Sequence, residues 1–326
     1  MHKLPALLDR IGQFLAQNAF PAAPRELYEP CAYILRLGGK RIRPALLLLG
    51  HELFTDDLEA ALPAAAAVEL FHNFTLMHDD IMDAAPLRRG QPTVHTKYDV
   101  NTGILSGDVM LIHAYRFLAQ SADTQTIAPL LDVFNRTAIE VCEGQQMDVN
   151  FEARADVSIP EYIRMIELKT AVLLGAALEM GAICARAPQA DAEHLYHFGR
   201  LAGIAFQIQD DYLDTYGDPA TFGKQVGGDI LQNKKTLLVL KTLETASPAD
   251  REKLSNLLKT SSLENPAEKI AAVRDIFDRN QIPARMQAEQ AEYQAEAFRH
   301  LTAVNVPDAR KAILRETIEG IFVRQH

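Results

Sequence analysis

The sequence has no tryptophan, only three cysteines and no long apolar run free of charge. The cysteines, at positions 31, 142 and 184, are odd in number and far apart, which argues against a disulfide framework and favours a reducing compartment. The longest apolar stretch, residues 171–185, is shorter than a bilayer span and contains Glu179. The first ten residues also lack an apolar signal core. We therefore expect no disulfides, no stable membrane insertion and a cytoplasmic location.

Positive charge is in deficit as well. The chain carries 33 lysines and arginines against 43 acidic residues, a formal net charge of -10. Proteins that bind nucleic acid usually carry a basic surplus, so we expect no nucleic-acid partner. Apolar residues make up 48% of the 326 residues, which is enough for a large buried core.

Runs of β-branched residues are rare, and we find no convincing strand pair and no Asn-Gly or Asp-Gly hairpin turn. Alanine and leucine instead recur at three- and four-residue steps, as in RPALLLLGHELF and DREKLSNLLKTSSL. Clusters of proline and glycine separate roughly ten such helical segments, and no low-complexity linker divides the chain. The pattern predicts an all-α fold with a single domain over residues 1–326.

Two clusters of aspartate follow apolar helical segments. HDDIMD places Asp79 and Asp83 four residues apart, and FQIQDDYLD repeats the spacing at Asp210 and Asp214. On a helix this spacing puts both carboxylates on one face, where they repel each other unless a cation is bound. A solvated acidic face would explain one such cluster, but two of them favour a site built from oxygen ligands. Such ligands suit Mg²⁺ together with phosphate, and no histidine or cysteine accompanies either cluster at zinc-ligand spacing.

Lysines and arginines recur beside these clusters and beside the chain breakers. Each of them alone would be explained as a surface residue. Grouped near acidic motifs in an acidic protein, they indicate a polyanionic ligand. These cations are Lys40, Arg41, Arg43, Arg88, Arg89, Lys169, Lys224 and Lys234.

Taken together, the motifs resemble those of the trans-isoprenyl diphosphate synthases. GGKRIRP, HDDIMD followed by RRG, GQQMD, KTAVLLGAA, FQIQDDYLD, FGKQVGGDI and NKKT occur in the family's order, from Gly38 to Thr236. The resemblance implies one large helical bundle around a deep central cavity, usually a homodimer. It also implies a prenyltransferase that joins an allylic diphosphate to isopentenyl diphosphate and releases pyrophosphate.

The resemblance further implies roles for individual residues. About three Mg²⁺ ions around the allylic diphosphate would be bound by Asp79, Asp83 and Asp210, supported by Asp80, Asp211, Asp214 and Asp148. The same diphosphate would be contacted by Arg88, Lys169, Thr170, Gln207, Lys224 and Lys234. Isopentenyl diphosphate would be held by Gly39, Lys40, Arg43, His72 and Arg89. The catalytic set would be Asp79, Asp80, Asp83, Lys169, Thr170, Gln207, Asp210 and Lys224.

The residues upstream of Asp79 would determine the product length. In the family the growing tail runs along this helix, where one turn rises about 5.4 Å, roughly one isoprene unit. Phe71, Phe74 and Thr75 lie eight, five and four positions before Asp79. One bulky and one small residue near the aspartates suggest an intermediate floor, so we predict geranylgeranyl diphosphate, with farnesyl diphosphate as the alternative. The competing interpretation is that both phenylalanines are ordinary core residues.

Three other functions fit the sequence less well. A class I terpene cyclase usually pairs one DDxxD with a motif of Asn, Ser and Glu, and it needs no second diphosphate site. A non-catalytic subunit of a heteromeric prenyl synthase generally loses one acidic motif, and this chain keeps both. A di-metal bundle needs a Glu-x-x-His motif on each of two helices, and this sequence has a single one, Glu69 to His72.

Overall fold

The structure is a computed structural model, and it describes residues 1–18, 20–121, 123–154, 156–218, 226–259 and 265–323. Within these ranges sixteen α-helices make up nearly all regular structure, which confirms the predicted all-α fold. None of the helices described is both long and apolar enough to cross a membrane. The helices are α1 (Leu4–Gln17), α2 (Arg25–Arg36), α3 (Ile42–Glu52), α4 (Leu62–Met82), α5 (Val94–Lys97), α6 (Val100–Ser121), α7 (Ile127–Ala153), α8 (Ile159–Ile166), α9 (Val172–Cys184), α10 (Gln189–Tyr216), α11 (Gly228–Leu231), α12 (Leu237–Thr245), α13 (Pro248–Leu257), α14 (Pro266–Arg279), α15 (Ile282–Ala303) and α16 (Asp308–Val323).

The chain divides into two compact units. Unit 1 comprises Met1–Asn135, Ala176–Tyr196 and Val304–Leu314, and unit 2 comprises Arg136–Gly175, His197–Ala303 and Arg315–His326. Four of the five boundaries fall within helices α7, α9, α10 and α16, and the fifth follows the last residue of α15. The single domain over residues 1–326 stays a prediction.

The core of unit 1 is built from helices that are apolar on nearly every side. Residues 45–49 of α3 and residues 64–68 of α4 are almost completely buried. A helix that is apolar all round packs against neighbours on all its faces, which explains why these segments lack the usual polar stripe. Alanine and glycine let backbones approach closely, and a Cβ on Gly50 of α3 would lie 2.6 Å from the carbonyl oxygen of Leu178.

The core of unit 2 is a separate cluster of apolar side chains. It draws on Ile204 and Ile208 of α10, residues 237–240 of α12 and Phe277 of α14. Helix α8 packs Ile166 and its neighbours against the same cluster. Its start is defined by a capping box, in which Ser158 accepts a hydrogen bond from the Glu161 backbone N–H and donates its own backbone N–H to the Glu161 carboxylate.

The expectation that no strands pair was wrong in one place. Two short antiparallel strands, β1 (Leu87–Arg88) and β2 (Gln91–Pro92), form a hairpin in unit 1. Arg89 and Gly90 make its two-residue turn with φ angles of 54° and 74°. Two left-handed residues are what a type I′ turn needs, and the position usually given to asparagine or aspartate is an arginine here. The hairpin escaped prediction because arginine seldom adopts this conformation.

The contact at Gly50 leads to a stability prediction. Gly50→Ala should destabilise the protein by about 1–3 kcal/mol, because its Cβ would meet a helix backbone that cannot move aside easily. The matched control is Gly320→Ala in α16, where a Cβ would have no neighbour within 4 Å and should stabilise the helix by up to about 1 kcal/mol. Urea unfolding measures both changes, and equal effects of the two substitutions would contradict the close packing described.

Candidate active site

The first aspartate cluster lies at the C-terminal end of α4 in unit 1. Asp79 and Asp80 are in the last turn, and Asp83 is the residue that caps the helix. The C-terminal end of a helix carries partial negative charge, so three carboxylates there are unfavourable without a nearby cation. Asp80 is buried, whereas Asp83 is exposed to solvent.

Asp80 and Arg88 form a two-pronged ion pair. Arg88 donates from Nε to Oδ2 and from Nη2 to Oδ1 of Asp80, both at 2.8 Å. Arg88 comes from β1, so the pair fastens the hairpin to the end of α4. The hydroxyl of Thr93 adds a hydrogen bond of 2.7 Å to the carbonyl oxygen of Ala85. Because both oxygens of Asp80 accept from Arg88, its geometry agrees with a supporting role for Asp80 beside the metal ligands.

The five residues predicted to hold isopentenyl diphosphate all belong to unit 1, and we call them the cationic cradle. A Cβ on Gly39 would lie 2.6–2.8 Å from the Arg89 guanidinium, so that side chain lies directly over the glycine. Gly39 also has a φ of 138°, a conformation that other residues rarely adopt. The contact joins the GGKRIRP segment to the hairpin. The cradle consists of Gly39, Lys40, Arg43, His72 and Arg89.

Arg43 and His72 make the second contact of the cradle. Arg43 Nη1 lies 3.1 Å from His72 Nε2, and since a guanidinium can only donate, His72 accepts. Burial, followed by the charge of Arg43, holds the pKa of His72 well below its usual range, so the ring is neutral and its proton is on Nδ1. Burial also lowers the pKa of Arg43 to about 10, which leaves it charged at neutral pH. Its Nε is buried and has no hydrogen-bond partner among the described residues.

Three residues without an assigned diphosphate lie beside the cradle: Glu69 and Asn73, which the sequence did not single out, and Arg41, one of its candidate cations. The Glu69 side chain is buried on α4, and Asn73 donates to its carboxylate. Arg41, at the start of α3, lies near the same carboxylate. The signal in the sequence was a glutamate within the apolar run AVELF, one turn before His72.

The second aspartate cluster lies at the C-terminal end of α10, in unit 2. Asp211 is buried and accepts hydrogen bonds from the Tyr162 hydroxyl at 2.5 Å and, more weakly, from Gln207 Nε2 at 3.4 Å. Burial raises the pKa of Asp211 to about 7, although the Tyr162 hydrogen bond opposes the rise. Asp214 Oδ1 accepts from the Asp229 backbone N–H at 3.0 Å. Asp210 is more exposed than Asp211.

Lys169 and Thr170 lie in a π-helical segment, Glu167–Ala171, between α8 and α9. Such segments are rare and often occur at functional sites. Lys169 Nζ donates to Asp148 Oδ2 at 2.6 Å, which places the lysine beside the GQQMD motif on α7. A Cβ on Gly144 would lie 2.8 Å from the Leu168 carbonyl carbon, so the glycine lets the π-helical backbone approach α7.

The remaining predicted lysines follow α10. Lys234 Nζ lies 3.5 Å from Asp229 Oδ1. The neighbouring Lys235 donates to the Phe151 carbonyl oxygen at 2.6 Å and so ties this segment to α7 within unit 2. Lys224, which the sequence assigned to the allylic diphosphate, lies outside the described residues.

The residues predicted to form the chain-length floor are part of a row of rings in unit 1. The Phe74 ring is 5.8 Å from that of Phe71 and 4.8 Å from that of His78, and Phe71 meets Phe134 of α7 at 5.2 Å. Phe71 is only 1% exposed, so it supports Phe74 from behind, and Phe74 is the more accessible of the two. The Thr75 hydroxyl donates to the His72 carbonyl oxygen at 2.8 Å, which leaves the methyl group as its apolar surface.

The donor chemistry of both clusters suits a hard cation such as Mg²⁺. No group of three or more acidic, histidine or cysteine side chains among the described residues is arranged to hold a metal ion. Magnesium is usually bound by one or two carboxylates together with water and substrate phosphates, so it does not need a complete protein cage. The oxygen-only clusters therefore fit magnesium that binds together with a phosphate ligand.

Several known proteins are similar to this chain in sequence and in fold. Residues 24–276 match the family described as polyprenyl synthetase. A short chain isoprenyl diphosphate synthase from Methanothermobacter thermautotrophicus is 39% identical over 93% of this chain and 92% of its own length. A geranylgeranyl diphosphate synthase from Methanosarcina mazei is 43% identical over 70% of each chain. A crystal structure of a geranylgeranyl pyrophosphate synthase matches 100% of both chains with a TM-score of 0.95 and 44% identity.

The bond between Tyr162 and Asp211 leads to a pH-dependent prediction. Folding raises the pKa of Asp211 to about 7, whereas the same carboxyl loses its proton near pH 4 in the unfolded chain. The stability of the folded state therefore falls as the pH rises from about 4 through 7. The Tyr162 hydroxyl stabilises the ionised form of Asp211 more than the protonated form. Tyr162→Phe should therefore cost about 1–3 kcal/mol, with the greater loss at pH 8 and the smaller at pH 5.

The control for this experiment is Tyr216→Phe. Its hydroxyl bonds Asp278 Oδ1 at 2.7 Å, but Asp278 is exposed and water can replace the hydroxyl. The free energy of unfolding should fall by less than about 1 kcal/mol at either pH. Unfolding curves for both variants in metal-free buffer measure the difference. A loss for Tyr162→Phe that is as small as the control's, or greater at pH 5 than at pH 8, would contradict the assignment.

Proposed function

Because this chain belongs to the polyprenyl synthetase family and is a prenyltransferase, we propose that it condenses isopentenyl diphosphate with an allylic diphosphate and ends at geranylgeranyl diphosphate. The observation that carries the proposal is that each unit contains both an aspartate cluster at a helix C-terminus and a lysine or arginine bonded to an aspartate. Two anionic substrates and their metal ions would use both kinds of group. The relatives named geranylgeranyl synthases support the twenty-carbon product.

Magnesium would be held by Asp79, Asp83 and Asp210, which are more exposed than the buried Asp80 and Asp211. Asp80, Asp148, Asp211 and Asp214 would support these ligands through the contacts to Arg88, Lys169, Tyr162 and the Asp229 backbone. When bound, the metal would neutralise the charge that develops on the leaving pyrophosphate.

Separate sets of cationic side chains would bind the two diphosphates. Arg88, Lys169 and Lys234 would bind the allylic diphosphate and stabilise the leaving group, while the cationic cradle binds isopentenyl diphosphate. Thr170 and Gln207 would lie near the reacting carbons. Loss of pyrophosphate leaves an allylic carbocation, which the double bond of isopentenyl diphosphate attacks, and the proton then lost passes to the departing pyrophosphate. Apolar side chains must exclude water during these steps, because water would trap the cation.

Three further predictions from the sequence belong to this proposal. A homodimer is supported by an exposed apolar patch on α6, where Leu105 and Ile112 are 60% and 64% exposed. Apolar surface of this kind often marks a protein interface. A cytoplasmic location and a deep central cavity also stay predictions.

The reaction itself is tested by one incubation series. Purified protein with Mg²⁺, isopentenyl diphosphate and either dimethylallyl, geranyl or farnesyl diphosphate should yield geranylgeranyl diphosphate as the main product, measured by chromatography of the dephosphorylated alcohols. A chelator should abolish turnover and added Mg²⁺ should restore it, because the aspartate clusters bind metal and substrate together. Full turnover in metal-free buffer, or cyclised products without chain elongation, would contradict the proposal.

Product length depends on Phe74. Phe74→Ala should lengthen the product by one isoprene unit or more, because it removes the accessible ring upstream of Asp79, and one turn of helix rises about 5.4 Å, close to one unit. The rate of the first condensation should change little, since the aspartates and the cradle are untouched. The product distribution from farnesyl diphosphate is the measurement.

The matched control is Phe71→Ala, which removes the same side chain from the buried position behind Phe74. It should cost about 3–5 kcal/mol of stability and change the product less than Phe74→Ala does. An unchanged product from a folded Phe74→Ala enzyme would mean that another residue closes the channel.

A further inference from the structure

We propose that Glu69 is a positioning residue for the cationic cradle and that it acts through Arg41. The inference rests on the proposed function, since it concerns how the second substrate is bound. Glu69 would not touch isopentenyl diphosphate. It would determine where the cations of the cradle lie before that substrate arrives.

The Glu69 carboxylate is buried and its orientation is fixed. The residue is only 6% exposed. Asn73, one turn later on α4, donates Nδ2 to the Glu69 carbonyl oxygen at 2.8 Å and to its Oε1 at 3.1 Å. Burial raises the pKa of Glu69, and Asn73, Arg41, Arg43 and Arg89 all oppose that rise. A buried carboxylate is costly unless it is paired and hydrogen-bonded, so this position requires the arginines around it.

Arg41 links the carboxylate to the GGKRIRP segment. Its Nε lies 3.9 Å from Glu69 Oε1, and its Nη2 donates weakly to the Leu35 carbonyl oxygen at 3.5 Å. Arg41 has a left-handed backbone with a φ of 45° and lies at the N-cap of α3. That conformation is strained for arginine and persists only where the surroundings hold it. Lys40 precedes Arg41, and Arg43 follows it by two residues. The backbone position of Arg41 therefore determines the point from which the side chains of Lys40 and Arg43 extend.

The charge of Glu69 also offsets repulsion within the cradle. Burial, Arg88 and Arg41 lower the pKa of Arg89, whereas Glu69 and Asp80 raise it. Glu69 likewise raises the pKa of Arg43, although burial outweighs it. Asp80 is already bound by Arg88, whereas Glu69 is a second carboxylate of α4 that acts on Arg41, Arg43 and Arg89. A preorganised group of cations binds its ligand more tightly, because the free-energy cost of bringing like charges together is already met in the folded protein.

The test uses variants that remove the charge and keep the shape. Glu69→Gln, Arg41→Gln and the double variant are assayed with isopentenyl diphosphate varied against saturating primer, and the reverse. Glu69→Gln should raise the KM for isopentenyl diphosphate about tenfold and leave the primer KM within about twofold. The double variant should be no worse than Arg41→Gln, because both changes remove one interaction. Calorimetric titration of isopentenyl diphosphate into metal-free protein should show a parallel rise in Kd.

Two further variants make the result interpretable. Glu52→Gln alters another carboxylate of unit 1, 1% exposed and bonded to His2, and it should leave both KM values unchanged. Arg41→Lys keeps the charge but lacks Nε, and it should raise the KM for isopentenyl diphosphate severalfold. If Glu69→Gln does not fold, the KM of Arg41→Lys for isopentenyl diphosphate tests the role of Glu69.

The outcomes separate this inference from the proposed function. Wild-type protein that fails to bind isopentenyl diphosphate would refute the proposed function. Wild-type protein that binds it, together with a Glu69→Gln variant that binds equally well or weakens both substrates equally, would refute the role of Glu69 alone. An unfolded Glu69→Gln together with an unchanged Arg41→Lys would refute it too.

Discussion

Carboxylates at the C-terminal end of a helix are repelled by the negative end of the helix dipole and by one another. Helices α4 and α10 both end in such clusters. The fold relieves part of this repulsion with its own groups. In each cluster the buried aspartate is bonded to protein: Asp80 to Arg88, and Asp211 to Tyr162. Asp79, Asp83 and Asp210 are more exposed than these two and are the residues expected to bind magnesium. The hairpin, α8 and the segment after α10 thus provide partners for carboxylates that helices alone could not stabilise.

The opposite problem arises for the cations. Arg41, Arg43, Arg88 and Arg89 come from two short segments of unit 1, and like charges brought together need anions or a ligand. Asp80 binds Arg88, and Glu69 faces the arginines from within α4. The neutral state of His72 follows first from its burial and then from the same crowding, because a buried charged imidazole beside Arg43 would be strongly disfavoured. Acidic and basic groups are therefore interdependent in this site.

Several parts of this arrangement could be predicted from the sequence. Asp79 and Asp83 at one helix end and the family itself follow from local pattern, because the spacing of residues along a helix determines which side chains share a face. Other features depend on residues far apart in the chain. The hairpin turn at Arg89 and the contact of its side chain with Gly39 have no local signature. The role of Phe71 behind Phe74 is decided by packing against Phe134, 63 positions away from Phe71.

The sequence by itself determined the class of fold and the chemistry of the donors, since apolar periodicity and residue type are properties of the chain. Only the tertiary structure decided which aspartates are buried and bonded to protein, which histidine tautomer is present, and that Glu69 lies among the arginines. The physical reason is that charge and hydrogen-bond energies depend on distance and burial in three dimensions, whereas the sequence records only order. The π-helical turn that carries Lys169 is likewise a feature of the tertiary structure, because its backbone packs closely against Gly144 of α7.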